Sequence, residues 1–258
     1  MERRKAAFVF DLDGTLNHNS PLPDGLPIRG RTTDSVIDYR VIELLLELAE
    51  LTDLYVATGR SMTTTADFRA HFATAGLRIT GWILEHGTRI DGCPAWNERV
   101  LSEVNLASAH AQIKEIVRQH NLAIDTEYYQ GSHQSVLLYS VKEQQFAAAF
   151  IAELPTIIGK QFRIIAGRRK IALIPKLGDK YAAFQAAFGQ THYIRCAAGD
   201  TDDDLTLLRN AVFPLTLRSA SQLVIELVQQ RGGFIAASAG HEGTAEMLKA
   251  ALAQFKQT

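Results

Sequence analysis

The chain has 258 residues, 27 of them basic and 28 acidic, for a net charge of −1. This length suits one large or two modest domains, and a hydrophobic content of 47% is typical of a globular rather than a disordered protein. A net charge near zero gives no field that would attract nucleic acid or an anionic membrane, so neither partner is expected. We expect a small-molecule partner.

The two cysteines, Cys93 and Cys196, lie far apart and match no metal-ligand or redox spacing, so we expect free thiols in a reducing compartment. The first five residues are basic, but the apolar run that follows is too short for a signal peptide, and no stretch approaches a membrane span. The sequence therefore predicts a cytoplasmic protein, which we expect to be a monomer or a weak homodimer.

The first predicted strand ends in two acidic residues. Residues 6–10 are apolar, as in a strand buried on both faces, and Asp11 and Asp13 follow directly, with Gly14 free to turn sharply. In open α/β sheets the carboxyl ends of the strands form the ligand-binding edge. Two close carboxylates repel each other unless a cation or a shared proton compensates, so this pair favours a bound Mg²⁺.

The next stretch predicts a second strand with a polar end. Residues 17–38 contain several prolines and glycines with little periodicity, which predicts a surface loop. Residues 41–51 have helical spacing, and residues 54–57 form a short apolar run that ends at Thr58. The helix predicted at 63–72 would direct its first amide groups towards an anion bound there.

The middle of the chain has a different pattern. A third strand at 82–84 ends at Glu85 and His86, which could hold a substrate hydroxyl, although side chains satisfied by nearby backbone are more common. The elements predicted after it are helices at 107–120 and 144–154, strand-like runs within 123–141 and a hairpin from 162 to 174. This order is typical of a small α+β domain with an antiparallel sheet. We therefore expect residues 86–175 to form a cap inserted into a core of residues 1–85 and 176–258.

Strands and helices alternate again after residue 175, which predicts a parallel sheet for the core. Lys180 begins one of these helices. A strand at 193–198 then runs into the densest acidic cluster of the chain, Asp200 to Asp204. Acidic, hydroxyl and ammonium groups are thus predicted at one edge of a doubly wound α/β sheet, which suits phosphoryl transfer.

Four motifs resemble those of the haloacid dehalogenase (HAD) superfamily and occur in that superfamily's order: Asp11-Leu12-Asp13-Gly14-Thr15, Thr58-Gly59-Arg60, Lys180 and Gly199-Asp200-x-x-Asp203-Asp204. The inserted segment resembles the type II cap of the Cof-like and sucrose-phosphatase-like branch, whose members act on sugar phosphates. The resemblance implies a doubly wound, Rossmann-like α/β core with an α+β cap. It also implies a Mg²⁺-dependent phosphoric monoester hydrolase that forms an aspartyl phosphate.

The resemblance implies a role for each matched residue. Asp11 would be the nucleophile and Asp13 the general acid and base. The metal site would comprise Asp11, the backbone carbonyl of Asp13, Asp200 and, as a supporting acid, Asp204, and the phosphate would be held by Thr58, Gly59, Arg60, Lys180 and Asp203. The family often has Asn at the position of Asp203, and a carboxylate cannot donate to phosphate unless it is protonated, so Asp203 could instead support the metal.

The substrate must be recognised by groups outside these motifs. The cap offers polar candidates: Glu127, Tyr128, Tyr129, His133, Arg168, Arg169 and Lys170. Such groups suit a polyol, so we expect a sugar phosphate of the sucrose-, trehalose- or glycosylglycerate-phosphate type rather than a nucleotide. Arg168 and Arg169 by default form a solvated hairpin tip, but contact with substrate would favour a second anionic group.

Two alternatives share part of this chemistry. A phosphosugar mutase of the same superfamily would use the same nucleophile and keep the phosphoryl group from water. A receiver-like signalling protein would accept a phosphoryl group without turnover, but its acceptor follows the third strand. Here the acidic pair follows the first strand, and a cap is inserted.

Overall fold

A computed structural model describes residues 4–30, 33–141, 150–152, 154, 158, 161–166 and 170–257. In this part of the chain a seven-stranded sheet forms the centre of the fold. Its strands lie in the spatial order β14 (Phe234–Ala236), β13 (Phe213–Leu217), β12 (His192–Ala198), β1 (Lys5–Phe10), β5 (Asp53–Ala57), β6 (Gly81–Leu84) and β7 (Arg89–Ile90). All neighbouring strands are parallel except β7, which runs antiparallel to β6.

Helices cover both faces of this sheet. Strand β1 shows why, because Phe8 and Phe10 belong to one apolar cluster and Ala7 and Val9 to the cluster on the opposite face. The helices of the described residues are α1 (Tyr39–Ala49), α2 (Ala66–Thr74), α3 (Pro94–Ser102), α4 (Leu106–Gln119), α5 (Lys180–Phe188), α6 (Leu205–Asn210), α7 (Gln222–Gln230) and α8 (Gly240–Lys256). Among them, no helix is long and apolar enough to span a membrane. The predicted α/β class, with a mostly parallel sheet, is confirmed.

The prediction of a surface loop for residues 17–38 is wrong. This segment forms a small antiparallel sheet of β2 (Asn17–His18), β3 (Leu26–Ile28) and β4 (Ser35–Ile37). Strands of two or three residues are too short to show a period of two, so the prolines and glycines dominated the pattern. Ile28 and Ile37 are fully buried and join the main core.

A second sheet comes from the middle of the chain. Its strands, in spatial order, are β10 (Phe162–Ala166), β11 (Lys170–Pro175), β9 (Leu137–Val141) and β8 (Ile124–Asp125), all antiparallel. Along β11 alternate residues face two different apolar clusters, and α4 packs on one of these faces. The helix predicted at 144–154 lies largely outside the described residues, but Phe150 and Leu154 are buried in the α4 cluster.

The predicted boundary at residue 86 does not coincide with the packing. Strand β7 extends the central sheet, and Trp96 and Val100 of α3 are buried in the core cluster around Val9. Neither element was predicted, because β7 has two residues and α3 contains only two buried side chains. We propose that the cap begins after α3 and ends near residue 175, with the rest of the chain as the core domain.

Candidate active site

Three neighbouring strands deliver polar residues to one edge of the central sheet. Asp11 follows β1, Thr58 follows the adjacent β5, and Asp200 follows β12 on the other side. The Asp11 amide donates to the Ala198 carbonyl of β12 at 3.0 Å, which fixes the Asp11 backbone beside the acidic segment. Parallel strands place their carboxyl ends at one edge, so the predicted convergence follows from the topology.

Lys180 brings a buried cation to the same place. It is the first residue of α5, whose N-cap Asp179 accepts from the Ala182 amide at 2.8 Å. Its Nζ lies 2.7 Å from Asp204 Oδ1, 3.1 Å from Asp11 Oδ1 and 3.5 Å from Asp203 Oδ2. An ammonium group that is 1% exposed is stable only with such partners.

Together, burial and neighbouring charges raise the pKa values of three groups in this site, Asp11, Asp200 and Lys180. Burial, followed by the charges of Asp204, Asp200 and Asp13, raises the pKa of Asp11 well above its usual range, although Lys180 opposes this. Burial and the charge of Asp204 raise the pKa of Asp200 to about 7. Burial lowers the pKa of Lys180, but the nearby carboxylates outweigh it and raise the pKa well above the ordinary value. The acids thus carry more negative charge than Lys180 compensates.

The acid cluster fits a divalent cation. Carboxylate oxygens of Asp11, Asp200 and Asp204 lie within 4.8 Å of one another. Asp11 Oδ1 is buried and accepts no hydrogen bond from the described residues, and its contact is the ion pair with Lys180 Nζ at 3.1 Å. A hard cation prefers oxygen ligands and would offset the repulsion that raises these pKa values. Asp204 Oδ2 accepts from the amides of Asp200 and Thr201, so this residue shapes the acidic loop as well as facing the cluster.

Gly14 is required by the same cluster. Its φ of +79° lies in the left-handed region, and a Cβ at this position would stand 2.3 Å from Asp200 Oδ2. The next residue, Thr15, donates its hydroxyl to Asp200 Oδ1 at 3.2 Å. The turn after β1 therefore places the Asp200 carboxylate against the Gly14 backbone and the Thr15 hydroxyl, close to the two predicted catalytic acids.

The second motif, Thr58-Gly59-Arg60, forms a turn after β5. Thr58 is buried, and its Oγ1 accepts from the Arg60 amide at 3.2 Å. Gly59 lies against the His86 ring, since a Cβ on Gly59 would come within 2.5 Å of His86 Cε1. The Arg60 guanidinium does not face Asp11. It pairs with Asp13, and its Nη1 donates to the Thr64 carbonyl at 2.8 Å.

Asp203 is surrounded by cations and donors. Its carboxylate accepts from His86 Nδ1 at 2.8 Å and from Arg163 Nη1 at 2.7 Å. Burial would raise the pKa of Asp203, but the interactions with His86, Lys180 and Arg163 hold it below the usual range. An ionised Asp203 is an acceptor only, so it cannot donate to phosphate, and it lies outside the cluster of candidate metal ligands. Its direct partners are His86 and Arg163.

No known protein-family model matches the chain, and no curated protein matches its sequence. Solved structures match it over nearly its full length. The sucrose-phosphatase of Synechocystis sp. PCC6803, solved with sucrose and phosphate, is 17% identical at a TM-score of 0.65, covering 98% of this chain and 99% of that one. A HAD subclass IIB sugar phosphatase is 13% identical at a TM-score of 0.64, covering 98% and 99%. The chain has the HAD fold.

A third solved structure is that of a trehalose-6-phosphate phosphatase related protein. It is 18% identical at a TM-score of 0.54, and the match covers 97% of this chain and 99% of that one. At these identities the comparisons establish the fold alone. The four motif segments are visible in the sequence because each follows a strand or begins a helix at the carboxyl edge of the central sheet.

In this HAD fold, the turn after β6 lies in the core and makes hydrogen bonds to the cap. Glu85 Oε2 accepts from the Gln134 amide at 3.0 Å and the Ser135 amide at 2.8 Å, both in the segment before β9. Glu85 was a candidate for a substrate hydroxyl, but backbone amides occupy its carboxylate. His133 Nε2 lies 3.0 Å from the Gly59 carbonyl, a second link between cap and core.

The other cap candidates have different surroundings. Glu127 pairs with Lys114 of α4 at 2.8 Å, on the exposed side of the cap. Burial and Arg60 dominate the pKa of Asp13, but Lys170 also lowers it, so the Lys170 ammonium group lies within electrostatic reach of the site. Arg168 and Arg169 lie outside the described residues. Cys93 and Cys196 are free thiols, as predicted.

Arg163 is the residue that the sequence did not indicate. It lies in β10 of the cap and reaches the core residue Asp203. The strand pattern Phe162-Arg163-Ile164-Ile165 gives no sign of such a contact, because a lone arginine in a half-buried strand is usually solvated. Only the three-dimensional docking of the cap reveals it.

Proposed function

We propose that this protein is a Mg²⁺-dependent phosphatase that hydrolyses a small sugar phosphate through an aspartyl phosphate on Asp11. The observation that carries the proposal is the buried Lys180 ammonium group, 3.1 Å from Asp11 Oδ1 at the carboxyl edge of the sheet. A nucleophilic carboxylate needs a fixed cation beside the phosphate that it attacks. The HAD fold and the four motifs support the same chemistry.

The proposed reaction has two steps, in which Asp11 is first phosphorylated and then dephosphorylated. In the first, an oxygen of Asp11 attacks phosphorus, the ester bond breaks, and Asp13 gives its proton to the departing sugar oxygen. In the second, Asp13 takes a proton from water, which attacks the phosphorus of the aspartyl phosphate and releases orthophosphate. Thr58, the Gly59 backbone and Lys180 bind the phosphate oxygens in both steps.

The proposed Mg²⁺ ligands are the Asp11 and Asp200 carboxylates and the Asp13 backbone carbonyl, with Asp204 behind them. When bound there, the ion would offset the negative charges of the nucleophile and the phosphate. Asp203, predicted as a phosphate ligand, has no such part in the proposal. It holds His86 and Arg163 instead.

A sugar phosphate is the proposed substrate class. The solved structures with the same fold include one named as a sucrose-phosphatase and one named as a sugar phosphatase. Two polar cap side chains support this class: His133 Nε2 lies 3.0 Å from the Gly59 carbonyl, and the charge of Lys170 lowers the pKa of Asp13. Arg168 and Arg169 precede Lys170 in the sequence. A sugar phosphate with a second anionic group, such as a glycerate carboxylate, is therefore included in the class.

The test is a phosphate-release screen with hexose, disaccharide, phosphoglycerate-linked and nucleotide phosphates, with and without chelator. We expect chelation to abolish turnover and Mg²⁺ to restore it, with the fastest release from a sugar phosphate. Turnover that is insensitive to chelation would refute the metal site, and a preference for nucleotides would refute the substrate class. Transfer of the phosphoryl group back to a sugar instead of to water would identify a mutase.

Two substitutions separate the roles of the acids. Asp11→Asn removes the nucleophile, so neither turnover nor a trapped phosphoenzyme is expected. Asp13→Asn removes proton transfer and leaves slow phosphorylation with a good leaving group such as 4-nitrophenol. Phosphate incorporation into the Asp11→Asn protein would show that another residue is the nucleophile.

A further inference from the structure

The cap makes a contact with the centre of the catalytic core through one side chain. Arg163 of β10 donates through Nη1 to Asp203 Oδ1 at 2.7 Å, through Nη2 to the His86 carbonyl at 3.0 Å and through Nε to the Gly178 carbonyl at 3.0 Å. All three nitrogen atoms of the guanidinium group are therefore used, each by a different segment of the core. Only the planar fork of an arginine can make this set of contacts.

Each of the three segments supports a residue of the proposed phosphate site. Asp203 lies 3.5 Å from Lys180 Nζ, which in turn lies 3.1 Å from Asp11 Oδ1. Gly178 precedes the N-cap of α5, the helix that begins with Lys180. His86 lies against Gly59 of the phosphate-binding turn.

The turn that Arg163 holds is a strained one. Glu85 and His86 have φ values of +49° and +63°, in the region that is unfavourable for residues with a side chain. Such a conformation persists only where its surroundings hold it, and it is common at functional sites. The core holds this turn through the Arg60 and Thr58 carbonyls, which accept from the Glu85 and His86 amides. The cap adds the Arg163 contact with the His86 carbonyl and the amides that bind the Glu85 carboxylate.

The charge balance explains why the Asp203 contact matters for phosphate. Lys180 is the buried ammonium group shared by Asp11, Asp203 and Asp204. Arg163 supplies Asp203 with its own cation, at a shorter distance than Lys180 does. Without Arg163, Asp203 would compete more strongly for Lys180 and draw its ammonium group away from Asp11 and from a phosphate bound there.

We propose that Arg163 is a positioning residue of the phosphate site, which acts through Asp203 and His86 and completes that site only when the cap is docked on the core. This inference rests on the proposed function, because it takes the bound group to be a phosphate. It differs from the ordinary role of a cap residue, because Arg163 affects the affinity for phosphate itself and not only for the sugar. The cap thereby controls the formation of the catalytic site as well as access to it.

The experiment compares Arg163→Gln and Arg163→Lys with wild type in two measurements. The first is the Kd of inorganic phosphate in the presence of Mg²⁺, by titration calorimetry, and the second is KM and kcat for 4-nitrophenyl phosphate. Neither ligand has a sugar, so a residue that recognises only the sugar would not alter them. We expect Arg163→Gln to raise the phosphate Kd and KM about tenfold, the factor that about 1.4 kcal/mol represents. Arg163→Lys keeps the charge but loses the fork and should be intermediate.

The matched control is Arg118→Gln, which removes an exposed cap arginine that pairs with Glu115 on the surface of α4. It should leave both measurements unchanged. A double-mutant cycle with Asp203→Asn tests the route of the effect, because Arg163→Gln should add little once Asp203 no longer carries a charge. Full additivity would show that Arg163 does not act through Asp203.

The outcomes separate this proposal from the phosphatase proposal. Wild-type Kd and KM in folded Arg163→Gln protein, whatever its thermal stability, would reduce Arg163 to a structural contact and overturn the proposal. Wild-type protein that binds phosphate but hydrolyses no ester would refute the phosphatase, and the Kd comparison would still decide the role of Arg163. Wild-type protein that binds no inorganic phosphate would overturn both.

Discussion

Arg60 holds both carboxylate oxygens of Asp13, with Nε 2.6 Å from Oδ2 and Nη2 2.6 Å from Oδ1. Asn17 Nδ2 also donates to Asp13 Oδ1, at 3.0 Å. Burial raises the pKa of Asp13, but the hydrogen bonds and charge of Arg60 outweigh it and lower the pKa below the usual value. The proposed general acid is therefore held in its ionised form, and protonation requires that Arg60 release it.

The first prediction concerns the pH dependence of this acid. Arg60→Gln removes the charged partner, so the pKa of Asp13 should rise. Because a general acid must be protonated, the alkaline limb of the pH profile for a sugar phosphate should move to higher pH. 4-Nitrophenyl phosphate should show no such shift, because its leaving group needs no proton.

Arg40→Gln is the control for this prediction. Arg40 makes a comparable pair with Asp38, with Nε 2.8 Å from Asp38 Oδ2, at the start of α1. Its loss should not move the pH profile of either substrate. A profile that is the same in Arg60→Gln and wild type would show that Arg60 does not set the acidity of Asp13.

The second prediction concerns the buried cation. Lys180→Met leaves Asp11, Asp203 and Asp204 without their shared ammonium group, and removal of one partner from a buried ion pair costs roughly 3–5 kcal/mol. We expect that loss in the free energy of unfolding at pH 7, measured by urea denaturation without metal. The loss should become smaller as pH falls, because the raised pKa of Asp11 lets this carboxyl group take up a proton and lose the charge that Lys180 balances.

Lys256→Met provides the comparison, because Lys256 pairs with Glu47 at 3.4 Å with both side chains more than half exposed. Exposed pairs contribute about 0–1 kcal/mol, so this variant should unfold almost as wild type does. Equal losses in the two variants would contradict the stabilising role of the buried cluster.

The third prediction compares two glycines with nearly the same positive φ. Gly14 and Gly76 have φ values of +79° and +75°, but a Cβ on Gly14 would meet Asp200 and one on Gly76 would meet nothing within 4 Å. Both alanine variants should lose about 1–2 kcal/mol of stability from backbone strain. Only Gly14→Ala should also lose Mg²⁺ affinity and turnover, measured by calorimetry and phosphate release. Normal Mg²⁺ binding by Gly14→Ala would refute the placement of Asp200 in the metal site.

The core of this site could be predicted because its residues follow regular elements. Asp11, Thr58 and Asp200 each follow an apolar strand, and neighbouring parallel strands must end at one edge. The contacts of Glu85 and Asp203 could not be predicted. Their partners, the Gln134 amide and Arg163, are 49 and 40 residues away and come from the cap, and no local pattern encodes how two sheets dock. The small sheet of residues 17–37 could not be predicted for a different reason. Its strands are too short to show an alternation of apolar and polar residues.

The last prediction links Mg²⁺ binding to pH. Burial and the charge of Asp204 raise the pKa of Asp200 from about 4 in the unfolded chain to about 7 in the folded protein. Between these values the folded protein holds a proton that the unfolded chain has released, so the metal-free protein should lose stability as pH rises from about 4 to about 7. The slope is at most about 1.4 kcal/mol per pH unit for each such proton.

Mg²⁺ should reverse this dependence. The ion binds the ionised carboxylates, so it lowers their pKa values in the folded protein and removes the penalty of ionisation. Urea denaturation from pH 4.5 to pH 8, with chelator or with excess Mg²⁺, measures both curves, which should diverge as pH rises towards 7. In Asp200→Asn the metal-free slope should decrease and the Mg²⁺ effect should largely disappear, because both depend on the ionisation of this carboxyl group. Parallel curves in wild type would show that the Asp11, Asp200 and Asp204 cluster does not bind the ion.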